Sequence, residues 1–139
     1  MIEVIFGEKG TGKTKHIIDM ANSQAKSSRG SMIFIDDDNS YMFDLNSNIR
    51  FINAQEYVIA TPKTLYGFLA GLAASDFDLE HIYIDGLWSF VHRELDTLED
   101  LFDKIEKLTK ARGIHLVISL SSTAEKLPSF MQKYVIRNT

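Results

Sequence analysis

The stretch that decides the fold is Gly7-Glu8-Lys9-Gly10-Thr11-Gly12-Lys13-Thr14, which matches the pattern G-x-x-x-x-G-K-[ST] at every fixed position. It lies between an apolar run, Ile2–Phe6, that predicts a buried strand and a segment from Lys13 to about Ala25 that predicts a helix. The glycines permit a sharp turn, and successive N–H groups then point into one concavity at the positive end of the helix. The eight residues are therefore predicted to bind the phosphates of a nucleoside triphosphate.

Three side chains have predicted roles in that site. Lys13 would reach the β- and γ-phosphates, and Thr14 would offer its hydroxyl to a magnesium ion. Further along, Ile82-Tyr83-Ile84-Asp85 is an apolar strand that ends in an acid, which predicts Asp85 as a second magnesium ligand. A glycine-rich turn that only caps a helix is the alternative, and both the strand–loop–helix context and Asp85 weigh against it. The predicted cofactors are ATP and Mg²⁺.

The rest of the chain alternates strands and helices. Strands are predicted at Met32–Ile35, His81–Asp85 and Ile114–Leu120, with shorter candidates at Ile49–Ile52 and Tyr134–Ile136. A helix is predicted to follow the pair Thr61-Pro62, and another to run from Asp96 to Arg112 and end at Gly113. Such alternation predicts an α/β fold, a three-layer αβα sandwich with a mainly parallel sheet, in a single domain over residues 1–139. Ligands of such folds lie beyond the carboxyl ends of the strands.

Composition limits the remaining function classes. Hydrophobic residues make up 45% of the 139 residues and charged residues 24%, which is typical of a globular core. The chain has no cysteine, so thiolate metal sites, disulfides and cysteine nucleophiles are excluded. Its net charge of -4 gives no general reason to bind nucleic acid. Without a signal-peptide pattern or a long apolar run, we expect a cytoplasmic protein that does not contact a membrane.

The loop, the strand that ends at Asp85 and the order of elements together resemble the P-loop NTPases over nearly the whole chain, and in particular their RecA-like (ASCE-type) branch. In that branch an extra strand lies between the loop strand and the Walker B strand, and its end carries a polar sensor of the γ-phosphate. The resemblance implies that Ile114–Ser122 is this strand and that Ser119 or Ser121 is the sensor. Serines of an ordinary strand-end turn are the alternative.

The chain departs from that pattern where hydrolysis is concerned. A glutamate that polarises the attacking water often follows the Walker B aspartate directly, but here the position is Gly86. In some RecA-like proteins the acid comes from the end of an earlier strand. The corresponding candidates are Asp36, Asp37 and Asp38, for which a solvated turn is the alternative. Nucleotide binding is therefore predicted more firmly than hydrolysis.

Four further residues are weaker candidates. Glu94 and Glu8 are more remote options for the water-activating acid, and Arg112 or Arg137 would act only on a neighbouring molecule in an oligomer. The apolar segment 86–92 follows Asp85 and is expected to pack in the core, with base stacking and partner binding as alternatives.

The leading functional hypothesis is an ATP-binding P-loop protein with weak or partner-stimulated, magnesium-dependent ATPase activity. The partner would be another protein or a second copy of the chain. A small-molecule kinase is an alternative, although no arginine-rich lid is present and the zinc-binding cysteine lobe of thymidine kinases is absent. A non-catalytic nucleotide-binding module is a further alternative. A weaker alternative is a core related to the secretion and pilus-retraction motor ATPases, which resemble this nucleotide-binding core but carry an N-terminal domain and added acidic and histidine motifs.

Overall fold

The computed structural model describes residues 1–87, 91 and 93–139. In this part of the chain six strands form one sheet in the order β3-β2-β4-β5-β1-β6, and every neighbouring pair is parallel. The strands are β1 (Ile2–Gly7), β2 (Ser31–Asp36), β3 (Ile49–Asn53), β4 (Leu79–Ile84), β5 (His115–Ser121) and β6 (Val135–Asn138). The α-helices in the described residues are α1 (Lys13–Ala25), α2 (Pro62–Ser75) and α3 (Glu99–Arg112).

The sheet separates two hydrophobic cores, because the central strands are apolar on both faces. One core contains Leu65 and Leu69 of α2 with Phe102 and Ile105 of α3. The other lies on the opposite face, where Ile17 and other residues of α1 pack against the sheet. Helices thus cover both faces, as right-handed parallel connections require. The α/β fold and its three layers are confirmed, and the sheet is parallel throughout the described strands.

Strand order brings four carboxyl ends together. β5 lies between β1 and β4, with Gly7 opposite Ser121 on one side and Ile84 opposite Ile118 on the other. This is the extra strand that the resemblance implies. β2 pairs with the far side of β4, so its last residue, Asp36, emerges beside the end of β4. The phosphate-loop sequence and the candidate acids therefore share one edge of the sheet.

The helix boundaries largely follow their local signals. The hydroxyl of Thr61 accepts a hydrogen bond from the N–H of Thr64 and caps α2, and Pro62 occupies the first turn. α3 ends at Gly113, whose φ of 65° is left-handed. The prediction that this helix begins at Asp96 is wrong, because Leu95–Thr97 form a 3-10 turn closed by a bond from the Leu98 N–H to the Leu95 carbonyl (3.1 Å).

Every strand also differs from its prediction by one or two residues at one end or both. β4 begins at Leu79 rather than His81, because Leu79 is buried and the Glu80 carboxylate accepts bonds from Gly30 and Ser28 that attach it to the neighbouring turn. The last strand begins one residue later than predicted, since Tyr134 completes a 3-10 helix. Within residues 1–87, 91 and 93–139, no helix combines the length and the apolar character needed to cross a membrane.

Candidate functional site

The loop between β1 and α1 leaves the amino end of α1 open. Gly10 and Gly12 have φ values of 85° and 86°, a left-handed conformation that glycine adopts without steric cost. Among the described residues no side chain caps α1. The first-turn N–H groups and the positive end of the helix dipole are therefore directed into the cleft, the arrangement that suits an anion.

Lys13 lies across this loop. Its side-chain ammonium donates a hydrogen bond to the carbonyl of Glu8 (2.8 Å), and only 9% of the residue is exposed. Burial lowers the pKa of Lys13, while the nearby charge of Asp85 raises it. Among the described residues the ammonium is thus held beside the open helix end by the Glu8 carbonyl alone, which a phosphate oxygen can replace.

Asp85 lies directly beyond β4 at the centre of a buried hydrogen-bond network. The hydroxyl of Ser119 donates to its Oδ1 (2.6 Å), and the side chain of Thr14 lies near its carboxylate. Burial raises the pKa of Asp85, and the side chains of Ser119 and Thr14 oppose that rise. The two residues that the sequence predicts as magnesium ligands, Thr14 and Asp85, therefore lie near each other in one cleft.

The two sensor candidates differ in position. Ser119 is 1% exposed, and its hydroxyl donates to Asp85 while accepting from the Gly86 N–H (2.8 Å). That donor is engaged with Asp85 and is not directed at a phosphate. Ser121, two residues further along β5, is exposed and lines the cleft. Both serines therefore line the cleft, Ser121 as an exposed residue and Ser119 as a buried one whose hydroxyl is bonded to Asp85.

The three adjacent acids have different environments. Asp36 is 5% exposed, and burial together with the charge of Asp85 raises its pKa to about 8. The N–H of Asp37 donates to the Asp36 carboxylate (2.7 Å). Asp38 is exposed, and a hydrogen bond from the N–H of Ser40 lowers its pKa. Asp36 is thus the buried acid of the three, while Asp38 is exposed and accepts the N–H of Ser40 in the turn that follows.

The open helix end and the buried acids line one cleft of about 680 Å³. Lys9, Gly10, Gly12 and all three acids of residues 36–38 contribute to its wall. Tyr41, Lys15 and Asp44 also line the cleft but were not predicted from the sequence. The sequence did contain a signal for Tyr41. It is an aromatic residue in the polar turn after a strand end, the place where ligands of parallel sheets bind.

The weaker candidates lie elsewhere in the described residues. Glu94 is exposed and does not line the cleft, and Glu8 takes part through its backbone carbonyl. Arg112 donates to the Ala73 carbonyl (2.8 Å) and lies over the ring of Phe77, so its guanidinium joins α3 to α2. Arg137 is exposed on β6.

The predicted apolar segment 86–92 is only partly described. Leu87 and Val91 are buried in the core, as expected. Trp88, Ser89, Phe90 and His92 lie outside the described residues.

Comparison of the sequence with protein-family models and with curated proteins finds no match. Comparison of the fold with solved structures does find matches. The chain is similar to the flagellar accessory protein FlaH from Methanocaldococcus jannaschii, with a TM-score of 0.64 and 14% sequence identity. The similarity covers 98% of this chain and 70% of FlaH. At this identity it establishes a shared α/β fold, and not a shared cellular role.

Proposed function

We propose that this chain binds ATP with Mg²⁺ in the cleft and hydrolyses it slowly. The observation that carries the proposal is the open amino end of α1, with Lys13 beside it and with Thr14 and Asp85 lining the same cleft. A stray anion needs only the helix end. A nucleoside triphosphate with a cation also needs oxygen ligands placed next to it, and these support the more specific assignment.

The donor set suits a magnesium ion. Mg²⁺ prefers oxygen ligands and is commonly held by one or two carboxylates together with substrate phosphates. Here Asp85 and the Thr14 hydroxyl would hold the ion, with Asp36 close by. The negative charge of Asp85 contributes to the raised pKa of Asp36, a repulsion that a divalent cation would relieve. When bound, the ion would neutralise charge on the phosphate oxygens.

Phosphate binding would be completed by residues of the loop. The N–H groups at the start of α1 would donate to phosphate oxygens, and Lys13 would exchange the Glu8 carbonyl for a phosphate. Ser121 would contact the triphosphate from the end of β5, while Ser119 keeps Asp85 in place. These contacts position the substrate, and positioning with electrostatic stabilisation accounts for most catalysis of phosphoryl transfer.

Slow hydrolysis follows from the acids that are present. Gly86 has a φ of 70°, so a glutamate at that position would need a left-handed backbone that side chains other than glycine rarely adopt. Asp36 is the remaining buried acid for accepting the proton of water. Its pKa of about 8 in the absence of ligand leaves it largely protonated at neutral pH. The same Gly86 geometry favours a non-catalytic nucleotide-binding module as the second candidate function.

Stimulation by a partner is part of the proposal. In the part of the chain that the structure describes, no arginine lines the cleft. An arginine from another protein, or from a second copy of this chain, would supply the positive charge that accelerates phosphoryl transfer in many P-loop enzymes. Phosphate release per molecule that rises with protein concentration would support a second copy, and a constant rate would contradict it.

The decisive experiment is calorimetric titration of ATP with Mg²⁺ into the wild type and Lys13→Ala. We expect the variant to lose at least about 30-fold in affinity, because a charge-assisted phosphate contact is removed from a nearly buried position. Lys26→Ala, at the opposite end of α1, is the matched control and should bind as the wild type does. Equal affinity of the wild type and Lys13→Ala would contradict the proposal. Phosphate release by the wild type separates an ATPase from a non-catalytic module.

A further inference from the structure

The last residue of the chain extends the sheet up to the phosphate loop. The N–H of Thr139 donates to the carbonyl of Phe6 (2.8 Å), which continues the pairing of β6 with β1. The Thr139 hydroxyl lies 2.8 Å from the hydroxyl of Thr11 in the loop. β6 is on the side of β1 opposite β5 and β4, so this contact holds the loop from the side away from Asp85.

Gly7 shows how closely Thr139 approaches. Gly7 does not have a positive φ, so its backbone conformation does not demand glycine. A Cβ at this position would lie 2.0 Å from the Thr139 hydroxyl oxygen and 2.7 Å from the Thr139 carbonyl oxygen. A Cβ there would also lie 2.8 Å from the Thr11 hydroxyl oxygen, so the close approach of Thr139 and Thr11 leaves room only for glycine.

Hydrogen bonds connect the Thr139 hydroxyl with Thr11 of the loop and with the Phe6 carbonyl. Thr11 has one hydroxyl hydrogen, and it is donated to the Glu8 carbonyl (2.7 Å). The one hydrogen of the Thr139 hydroxyl then has two acceptors within reach, the Thr11 oxygen at 2.8 Å and the Phe6 carbonyl at 3.3 Å. The same Glu8 carbonyl accepts from the ammonium of Lys13 (2.8 Å). When Lys13 moves to a phosphate, the Thr11 hydroxyl remains on Glu8 and keeps that carbonyl satisfied.

We propose that Thr139 is a positioning residue for nucleotide binding, which holds the phosphate loop in its open form through the hydroxyl of Thr11. The inference deepens the proposed function and rests on it. The other side of the loop is already fixed, since the N–H of Ser122 donates to the Gly7 carbonyl (3.1 Å). With Thr139 in place the loop is hydrogen-bonded to the sheet on both sides. The loop therefore loses less conformational freedom when the phosphates bind.

The test measures binding of ATP with Mg²⁺, and of inorganic tripolyphosphate with Mg²⁺, by calorimetry. Thr139→Val removes the hydroxyl while preserving the shape of the side chain, and Thr139→Ser keeps the hydroxyl. We expect Thr139→Val to weaken both ligands by about three- to tenfold, the effect of one hydrogen bond, with a change in Tm of less than about 2 °C. Thr139→Ser should remain within about twofold of the wild type. Thr97→Val, a hydroxyl deletion outside the cleft, is the matched control.

Thr11→Val provides the independent arm, because Thr11 is exposed and its replacement does not disturb a core. It should weaken binding as Thr139→Val does, and the double variant should be no weaker than the poorer single variant. Wild-type affinity in Thr11→Val or Thr139→Val, or additive losses in the double variant, would overturn the inference while the proposed function stands. Failure of the wild type to bind either ligand would overturn both.

Discussion

The amino ends of α1 and α2 are built in opposite ways. α2 begins with Thr61, whose hydroxyl accepts the N–H of Thr64, and continues with Pro62, which has no N–H to satisfy. α1 begins after Gly12, and no described side chain caps it. A capped end contributes to stability by itself. An uncapped end at the carboxyl edge of a parallel sheet leaves its donors available, so the difference separates a structural helix terminus from one that can bind an anion.

The surroundings of the two ends sharpen the contrast. The open end of α1 shares its cleft with two buried acids, Asp36 and Asp85, whose pKa values are raised above their usual range, chiefly by burial. A phosphate placed there without a cation would meet the negative charge of Asp85, the same charge that raises the pKa of Asp36. The comparison therefore predicts a ligand that brings its own divalent cation, rather than a simple anion.

Removing the metal should produce the largest effect. We expect the affinity for ATP to fall roughly ten- to a hundredfold when Mg²⁺ is replaced by EDTA, because the charge of Asp85 and the triphosphate is then uncompensated. Calorimetric titration of the wild type with and without Mg²⁺ measures this loss. In Asp85→Asn the repulsion is reduced, so the dependence on Mg²⁺ should be smaller. An affinity that is independent of Mg²⁺ in the wild type would show that the acids do not face the phosphates.

The contrast between the helix ends was largely predictable from the sequence because its signals are local. Thr61-Pro62 is a recognisable helix start, and the loop pattern specifies its own turn and the helix that follows. The strand ending at Asp85 was equally clear. Such features depend on residues a few positions apart, so a single sequence carries them.

The details that could not be predicted depend on pairing between distant segments. Asp36 is distinguished from Asp38 because β2 pairs with β4, which places Asp36 beside Asp85. The contact between Thr11 and Thr139 spans 128 positions along the chain. The position of β5 was anticipated only through the resemblance to RecA-like proteins, because the order of strands across a sheet is not visible in their order along the chain.

After removal of the metal, the next largest effect is expected for Asp36→Asn, which should change the free energy of unfolding of the ligand-free protein. The pKa of Asp36 is about 8 in the folded protein and near 4 when unfolded, so the folded state binds more protons between these values. Stability is therefore lost as pH rises through that window. We expect the variant to raise the free energy of unfolding by about 2 kcal/mol at pH 8 and by much less at pH 5, where the burial penalty on the carboxylate is small.

Urea unfolding of both proteins at pH 5 and pH 8 checks this prediction. Asp38→Asn is the matched control, since Asp38 is exposed and hydrogen bonding from Ser40 lowers its pKa. It should not be stabilised at pH 8. Parallel pH profiles of the wild type and Asp36→Asn would contradict the assignment of Asp36 as a buried acid with a raised pKa.

Thr61→Ala should have the smallest effect, and it tests the closed helix end directly. We expect a loss of about 1 kcal/mol in the free energy of unfolding, the usual cost of removing a threonine cap. The affinity for ATP with Mg²⁺ should not change, because the Thr61 hydroxyl bonds to Thr64 of its own helix and does not line the cleft. Urea unfolding and calorimetric titration of the same preparation measure the two quantities. A loss of ATP affinity without a loss of stability would contradict the assignment of the α2 end as structural and of the α1 end as the binding site.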